Sequence, residues 1–306
     1  MAFASVYANM CYLDTGLILG GVLMSQQLRL DDKKGHPIRI VSLERSALNQ
    51  PNDILSQLFD ASVSGLVVRN AFSDSSMADA VLALEGSCNE WQSPNQGMVG
   101  GEIRTIGTAA TPTFTSFTGP SSADYLASQS KHETWVGRIF AQGSPTAEVG
   151  AVFSALNSGQ PAHPPKFGAE GDWLPYNFRS LDQGHEIYAH HDNHYRLSIY
   201  DNLDQSYDRT IILSWFLVLR PSNLGGALKL YGLWGSDPNP PVLPTRFLDA
   251  QVLDEEYLCE TVKLSTGDMV VFNSGKHVHR VSQVESDVSR ITMGGFATVD
   301  TDRSHL

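Results

Sequence analysis

A short stretch of the chain concentrates side chains that could bind a metal ion. Residues 186–194 read Glu-Ile-Tyr-Ala-His-His-Asp-Asn-His, and this composition predicts a β-strand. Because side chains alternate across a strand, Tyr188, His190 and Asp192 are expected on one face. His191 would point to the opposite face. The strand would therefore present one imidazole and one carboxylate on the same side.

A third ligand has to come from elsewhere in the chain. A Gly-Asp turn at residues 267–268 leads into an apolar run, and a short loop then connects it to a second strand. That strand carries His277 and His279 on one face. Two histidines and one carboxylate that leave coordination positions open form the facial triad of non-haem Fe(II) oxygenases. We take His279 as the third ligand, with His277 as its rival.

Arg290 could complete such a site. It follows His279 by eleven positions, and the intervening Glu-Ser-Asp at residues 285–287 is typical of a hairpin turn. His279 and Arg290 would then be neighbours on adjacent antiparallel strands. Arg290 could hold the distal carboxylate of an acid co-substrate that chelates the iron, and Thr292 on the same face could donate a further hydrogen bond. The alternative is a surface arginine paired with an acidic residue of the turn.

Composition excludes several classes of protein. The 306 residues are 42% hydrophobic, which is enough for a substantial core, and the formal charge is −12 without any Lys/Arg-rich run. Binding to nucleic acid or to an anionic membrane is therefore not expected. Three widely spaced cysteines without a Cys-x-x-Cys pair favour neither disulfides nor a thiolate zinc site. Residues 1–24 lack a basic leader region, and we interpret them as folded structure of a cytoplasmic protein.

The predicted elements change in character near residue 170. Before it, the sequence predicts a strand at 65–69, a helix capped by Ser73, a helix at 122–140, and a helix that begins at Ser144 and Pro145. After it, many short β-like runs separated by turn residues indicate a sandwich or barrel. Since no repeat or flexible linker is visible, we expect a single domain over 1–306, with 1–170 flanking a β core at 171–300.

Taken together, these residues resemble the Fe(II)/2-oxoglutarate-dependent dioxygenase superfamily, and most closely its prolyl-hydroxylase-like branch. The resemblance covers roughly residues 170–300 and is carried by an ordered set of segments rather than by any single motif. The segments are Gly184–Asp192, Ile211–Leu219, Leu224–Gly232, Gly267–Phe272, His279–Val281 and Arg290–Thr292.

The resemblance implies a fold and a set of site residues. The fold would be mostly β with flanking α-helices: a double-stranded β-helix, or jelly roll, packed by N-terminal helices. The iron ligands would be His190, Asp192 and His279, with His279 preferred over His277 because Arg-Val follows it. Arg290 would anchor 2-oxoglutarate. Iron halogenases of this superfamily typically carry a small residue in place of the carboxylate, so the aspartate argues against halogenation.

The resemblance also implies a reaction. Fe(II), 2-oxoglutarate and O2 would be the cofactors, with succinate and CO2 released. We expect oxidation of an unactivated C–H bond of a small molecule such as an amino acid or a derivative, by hydroxylation, desaturation or ring closure. Tyr188 could contact the co-substrate, or be an ordinary cross-strand aromatic residue. Arg179 and Arg196 could receive a substrate carboxylate, or form solvated ion pairs. Residues 1–60 and 92–170 are the candidate substrate lid.

Two other classes of protein fit part of this pattern. A zinc hydrolase could use the same two histidines and aspartate, since zinc accepts imidazole and carboxylate ligands with an open fourth position. Such an enzyme gives Arg290 no particular task. A non-enzymatic jelly-roll binding module, in which the histidines are structural, predicts no metal at all.

Overall fold

The computed structural model describes eleven stretches of the chain, and these carry every structural statement below. They are residues 33–49, 53–87, 91, 99–100, 103–106, 132–140, 143–167, 171–172, 174–192, 205–245 and 247–301. Arg196, Cys11, Cys88 and the start of the helix predicted at 122–140 lie outside the described residues.

The described residues form fourteen strands and five α-helices. The strands are β1 (Ile40–Glu44), β2 (Gly65–Arg69), β3 (Val99–Gly100), β4 (Ile103–Ile106), β5 (Lys166–Phe167), β6 (Gly171–Asp172), β7 (Asn177–Leu181), β8 (Glu186–His190), β9 (Leu213–Arg220), β10 (Leu228–Trp234), β11 (Cys259–Val262), β12 (Met269–Phe272), β13 (His277–Val281) and β14 (Arg290–Ala297). The helices are α1 (Ser56–Phe59), α2 (Asp74–Glu85), α3 (132–139), α4 (Pro145–Leu156) and α5 (Ala250–Glu256), and a 3-10 helix spans Arg45–Asn49.

Two sheets face each other and enclose the interior of the fold. The larger has the order β1-β2-β12-β9-β14-β7-β4 and the smaller has the order β11-β10-β13-β8-β3. Leu228 and Leu230 of the smaller sheet pack between the sheets against Val67, Val270 and Phe272 of the larger one. The predicted mostly β, jelly-roll architecture is confirmed. β1 also pairs in parallel with β2, so part of the N-terminal segment considered as a lid is instead the edge of the larger sheet.

Helices cover the outer face of the larger sheet. Ser73 caps α2 by accepting a hydrogen bond from the backbone N–H of Ser76, and Pro145 occupies the first turn of α4, as predicted. Their buried faces share one core with Trp215, Met269 and Met293. The α2 residues are Met77, Ala80, Val81 and Leu84, and those of α4 are Val149, Val152, Phe153 and Leu156. No helix in the described part of the chain has both the length and the apolar character that crossing a membrane requires.

A buried histidine in this core makes stability depend on pH. His132 of α3 lies against the rings of Tyr176 and Phe178, and neither of its ring nitrogens has a hydrogen-bond partner among the described residues. Burial lowers its pKa to about 4, from an ordinary value of 6.5. The folded state therefore holds the neutral ring, and the stability due to this group is complete above pH 6.5 and is lost as pH falls towards 4.

We expect His132→Leu to remove that part of the pH dependence. Between pH 7 and pH 5 the free energy of unfolding of the parent protein should fall by about 2 kcal/mol more than that of the variant. Urea unfolding at both pH values measures this difference. His163→Leu, at an exposed position in the 157–165 loop, is the control and should leave the pH dependence unchanged. Parallel pH profiles of His132→Leu and the parent would contradict the expectation.

Candidate metal centre

The three predicted ligands come together between the two sheets. His190 is the last residue of β8, Asp192 follows it two positions later, and His279 lies in β13 directly opposite His190. His190 Nε2 is 3.5 Å from Asp192 Oδ1, and His279 Nε2 is 3.7 Å from Asp192 Oδ2. One ligand atom from each residue falls within 4.8 Å of the other two. Such a group could hold one metal ion.

Backbone carbonyls fix the direction in which both imidazoles present their lone pairs. His190 Nδ1 lies 2.6 Å from the carbonyl oxygen of Tyr188, and His279 Nδ1 lies 3.0 Å from that of His277. Because a carbonyl oxygen can only accept, each Nδ1 must carry the proton and donate it. The unprotonated Nε2 atoms then face Asp192. This is the outer hydrogen bonding that orients histidines bound to metals.

The charge states of these groups also suit a divalent cation. Burial lowers the pKa of His279 to about 4, so its ring is neutral at neutral pH. Burial alone would raise the pKa of Asp192, but the hydrogen bond with His190 and the charges of both histidines outweigh it and hold this pKa below its usual range. Two neutral imidazoles and one carboxylate are therefore available without loss of a proton, which is the state that metal binding needs.

Asp192 is held on two sides by residues of neighbouring elements. Ser214 of β9 donates its hydroxyl to Asp192 Oδ2 at 2.8 Å. The backbone N–H of Asp192 donates to the carbonyl oxygen of Ser274 at 2.9 Å. The carboxylate is therefore fixed in orientation although it lies beyond the end of β8.

We expect Ser214→Ala to weaken metal binding about tenfold, because hydrogen bonds to metal-binding carboxylates commonly contribute that much. Titration of the apoprotein with Co(II) measures the affinity. Ser282→Ala, which removes a hydroxyl that accepts from the backbone N–H of Ala227, is the control and should bind Co(II) as the parent protein does. An unchanged affinity in Ser214→Ala would show that this hydroxyl does not support the ligand.

A cavity extends from the three ligands into the interior and is lined on its far wall by Arg290. The cavity encloses about 700 Å³, part of it open to solvent. Arg290 is only 6% exposed, and its guanidinium lies 4.8 Å from the ring centre of Phe216. Thr292, two residues along β14, lines the same cavity. The alternative of a surface arginine is excluded by this burial.

Arg290 has no carboxylate partner within the described residues. Burial, and then the charge of Arg179, lower the pKa of Arg290 to about 10, so it remains a cation at neutral pH. A buried cation without a counterion is costly, and an anionic ligand would relieve that cost. The cavity therefore combines three metal-binding atoms at one end with a site for a carboxylate at the other, as a chelating dicarboxylate such as 2-oxoglutarate requires.

The remaining predicted residues have different surroundings. Arg179 of β7 lies on the cavity wall in register with Thr292, and its Nε donates to Asn177 Oδ1 at 3.0 Å. His277, the rival ligand, points away from the cavity and packs edge-on against Trp234 at 6.3 Å. His279 is therefore the histidine of this strand that joins the ligand group.

The strand-face prediction for Tyr188 is wrong. The pairing of β8 with β13 shifts between Ile187 and His190, so a bulge turns both of these residues towards the cavity. The Tyr188 ring instead packs against Phe247, at 5.1 Å between ring centres. Its contribution to the site is its backbone carbonyl, which accepts from His190.

Several cavity residues were not predicted from the sequence. Ser214 and Phe216 alternate on β9, and Phe272 lies edge-on to His279 at 4.9 Å. None of them belongs to a motif. The alternation of polar and apolar residues in β9 could have placed the two β9 residues on one face, but not opposite the aspartate.

Known proteins resemble this chain in both sequence and fold. The family model described as carrier-protein-independent halogenase WelO5 matches residues 37–306. A prolyl-4-hydroxylase structure from Pseudomonas putida shares 14% identity over 79% of this chain and 95% of its own, with a TM-score of 0.37. An N-substituted L-amino acid dioxygenase from Burkholderia ambifaria shares 14% over 81% and 88%, with a TM-score of 0.44. An oxidoreductase of the 2OG-Fe(II) oxygenase family from Burkholderia pseudomallei shares 13% over 84% and 94%, with a TM-score of 0.41. No curated protein matches the chain.

Proposed function

The chain belongs to the family of the carrier-protein-independent halogenase WelO5, an Fe(II)- and 2-oxoglutarate-dependent family, and from this premise we propose that it oxidises a C–H bond of a small molecule without halogenating it. The products would arise by hydroxylation, desaturation or ring closure. The single observation that carries the proposal is the carboxylate of Asp192, which lies between the two histidines and is 3% exposed. Superfamily halogenases resemble this site but carry a small residue at that position.

Each part of the site has a task in such a reaction. His190, Asp192 and His279 would hold Fe(II), and Arg290 with Thr292 would bind the distal carboxylate of 2-oxoglutarate. Bound Fe(II), with 2-oxoglutarate and O2, supplies the oxidant that attacks the C–H bond, and succinate and CO2 are released. The protein contributes positioning and the exclusion of side reactions.

The cavity walls support the exclusion of water. Apolar side chains from both sheets surround the polar groups, namely Ile103, Leu181, Ile187, Phe216, Leu228, Phe272, Val281 and Phe296. Few polar groups fixed within an apolar cavity are typical of sites that bind small molecules. The zinc-hydrolase and binding-module alternatives assign no task to the buried cation of Arg290.

We place the substrate among the free amino acids or their derivatives, and Arg179 supports that choice. It lines the same cavity as the metal-binding group and is close enough to Arg290 to lower its pKa. A guanidinium in this position could bind a substrate carboxylate by charge-assisted hydrogen bonds. Arg196, outside the described residues, stays a candidate for the same role.

The proposal is tested by turnover with Fe(II), 2-oxoglutarate and O2 in a buffer that contains chloride. A panel of amino acids and derivatives is screened for succinate release above the level without substrate, and the products are analysed by mass spectrometry. We expect products that have gained one oxygen atom or lost two hydrogen atoms. Products in which chlorine replaces hydrogen would contradict the assignment made from Asp192. Hydrolysis with Zn(II) and no use of 2-oxoglutarate would contradict the oxygenase itself.

A further inference from the structure

A group of charged side chains lies on the outer face of the smaller sheet, on the side opposite the cavity. Strand alternation turns His279 and Val281 of β13 inwards, so that Arg280 between them points outwards. Helix α5 packs on this outer face through Leu253. We call Glu186, Lys229, Tyr231, Asp254 and Arg280 the outer ionic cluster. The proposed chemistry uses none of these side chains.

Asp254 of α5 is the centre of the outer ionic cluster. Its carboxylate accepts from Lys229 Nζ at 3.0 and 3.1 Å, from Tyr231 Oη at 2.7 Å, and from Arg280 Nη2. Arg280 Nε donates to Tyr231 Oη at 2.7 Å, and Arg280 Nη1 lies 3.6 Å from Glu186 Oε2. Arg280 thus connects β13 to β10, to α5 and to β8.

The burial of Arg280 makes these contacts stronger than those of an ordinary surface pair. Its side chain is 12% exposed, so its ion pairs are screened less by water than exposed ones. Lys229 is its direct partner across the β10–β13 ladder, and two cations in that relation repel each other. Asp254 offsets this repulsion because it pairs with both. The planar guanidinium reaches three partners at once, which a lysine could not do.

The connection to Glu186 crosses between the two strands that carry the proposed metal ligands. β8 and β13 are in register at only two positions, His190 opposite His279 and Ile187 opposite Val281, with the bulge between them. Few backbone contacts therefore fix the separation of the two histidines. The pair of Arg280 with Glu186 joins the same strands on the reverse face, one residue away from each of these positions.

We infer that Arg280 is a positioning residue for the metal centre, a role that rests on the proposed ligands. It holds β13 against β8, β10 and α5 from the outer face and so sets the distance between His279 and His190 on the inner face. Arg280 touches neither metal nor substrate. Its loss is expected to weaken metal binding by allowing the two histidines to separate.

Co(II) binding to the apoprotein tests this role without requiring turnover. We expect Arg280→Met to bind Co(II) about tenfold more weakly than the parent protein, with altered visible cobalt bands, since supporting residues of metal sites have effects of that size. Asp254→Asn alters the cluster without changing either ligand-bearing strand. It should weaken Co(II) binding in the same direction and provides a second variant should Arg280→Met fold poorly.

Arg69→Met is the matched control for a general loss of stability. Arg69 forms an ion pair of 2.6 Å with the buried Asp268, at the β2 side of the larger sheet and outside the cavity lining. It should lower the thermal unfolding midpoint of the apoprotein yet bind Co(II) with parental affinity and spectrum. Parental Co(II) affinity in both cluster variants, or an equal loss in Arg69→Met, would overturn the role of Arg280. Failure of the parent protein to bind Co(II) would contradict the metal centre itself, and with it this inference.

Discussion

Asp192→Ala is expected to reduce substrate-dependent succinate release by more than about 100-fold. Loss of a residue that only supports a metal ligand costs roughly 10–100-fold in affinity or activity, so loss of a ligand should cost more. The effect should appear in Co(II) affinity as well as in turnover, because the carboxylate is the one anionic group among the three ligands. Both are measured on the same preparation of apoprotein.

A buried carboxylate elsewhere in the fold is the control for this variant. Asp268 is 2% exposed and accepts hydrogen bonds from Arg69 Nη1, Asn70 N and Ser265 N. Asp268→Ala should destabilise the protein, because it leaves these donors without their acceptor. Its Co(II) affinity should remain that of the parent. If Asp192→Ala retains parental affinity and turnover, the carboxylate is not a ligand.

Arg290→Met is expected to raise the KM for 2-oxoglutarate about 10- to 100-fold, with a smaller change in kcat. A charge-assisted hydrogen bond to a buried guanidinium contributes roughly 1.5–3 kcal/mol, and one factor of ten corresponds to about 1.4 kcal/mol. Methionine keeps much of the length of the side chain and its packing on Phe216, so the lost interaction is mainly that with the carboxylate. Initial rates at varied 2-oxoglutarate give both constants.

Arg179→Met separates the two cavity arginines. It should raise the KM for the organic substrate and change the KM for 2-oxoglutarate much less, because Arg179 is assigned to the substrate and Arg290 to the co-substrate. An unchanged KM for 2-oxoglutarate in Arg290→Met would remove the anchor from Arg290. If instead Arg179→Met produced that increase in KM, the two roles would have to be exchanged.

The metal-binding group could be predicted from sequence because its residues have types and spacings that few other sites need. His190, Asp192 and His279 required only a short motif, a distant strand and the knowledge that iron sites combine two imidazoles with a carboxylate. The structure brings their ligand atoms within 4.8 Å of one another. The buried position of Arg290 followed from a predicted hairpin, which the β13 and β14 strands bracket at residues 282–289.

The parts that sequence could not predict depend on register and local irregularity. Strand parity failed for Tyr188 because a bulge inserts a residue into β8, and nothing in an Ile-Tyr-Ala-His run signals a bulge. Asp192 lies beyond the strand that was expected to carry it. Ser214 supports it only because β9 lies beside β12 in the larger sheet, a pairing between residues far apart in sequence. Arg280 likewise gains its partners from α5 and β10.

The central claim is that His190, Asp192 and His279 bind Fe(II) in a cavity that also takes 2-oxoglutarate. The most direct measurement is the anaerobic addition of Fe(II) and then 2-oxoglutarate to the apoprotein, followed by visible absorption spectroscopy. We predict a weak charge-transfer band that needs both additions, is lost in Asp192→Ala, and requires more 2-oxoglutarate in Arg290→Met. Absence of the band in metal-loaded parent protein, or an unchanged band in Asp192→Ala, would contradict the claim.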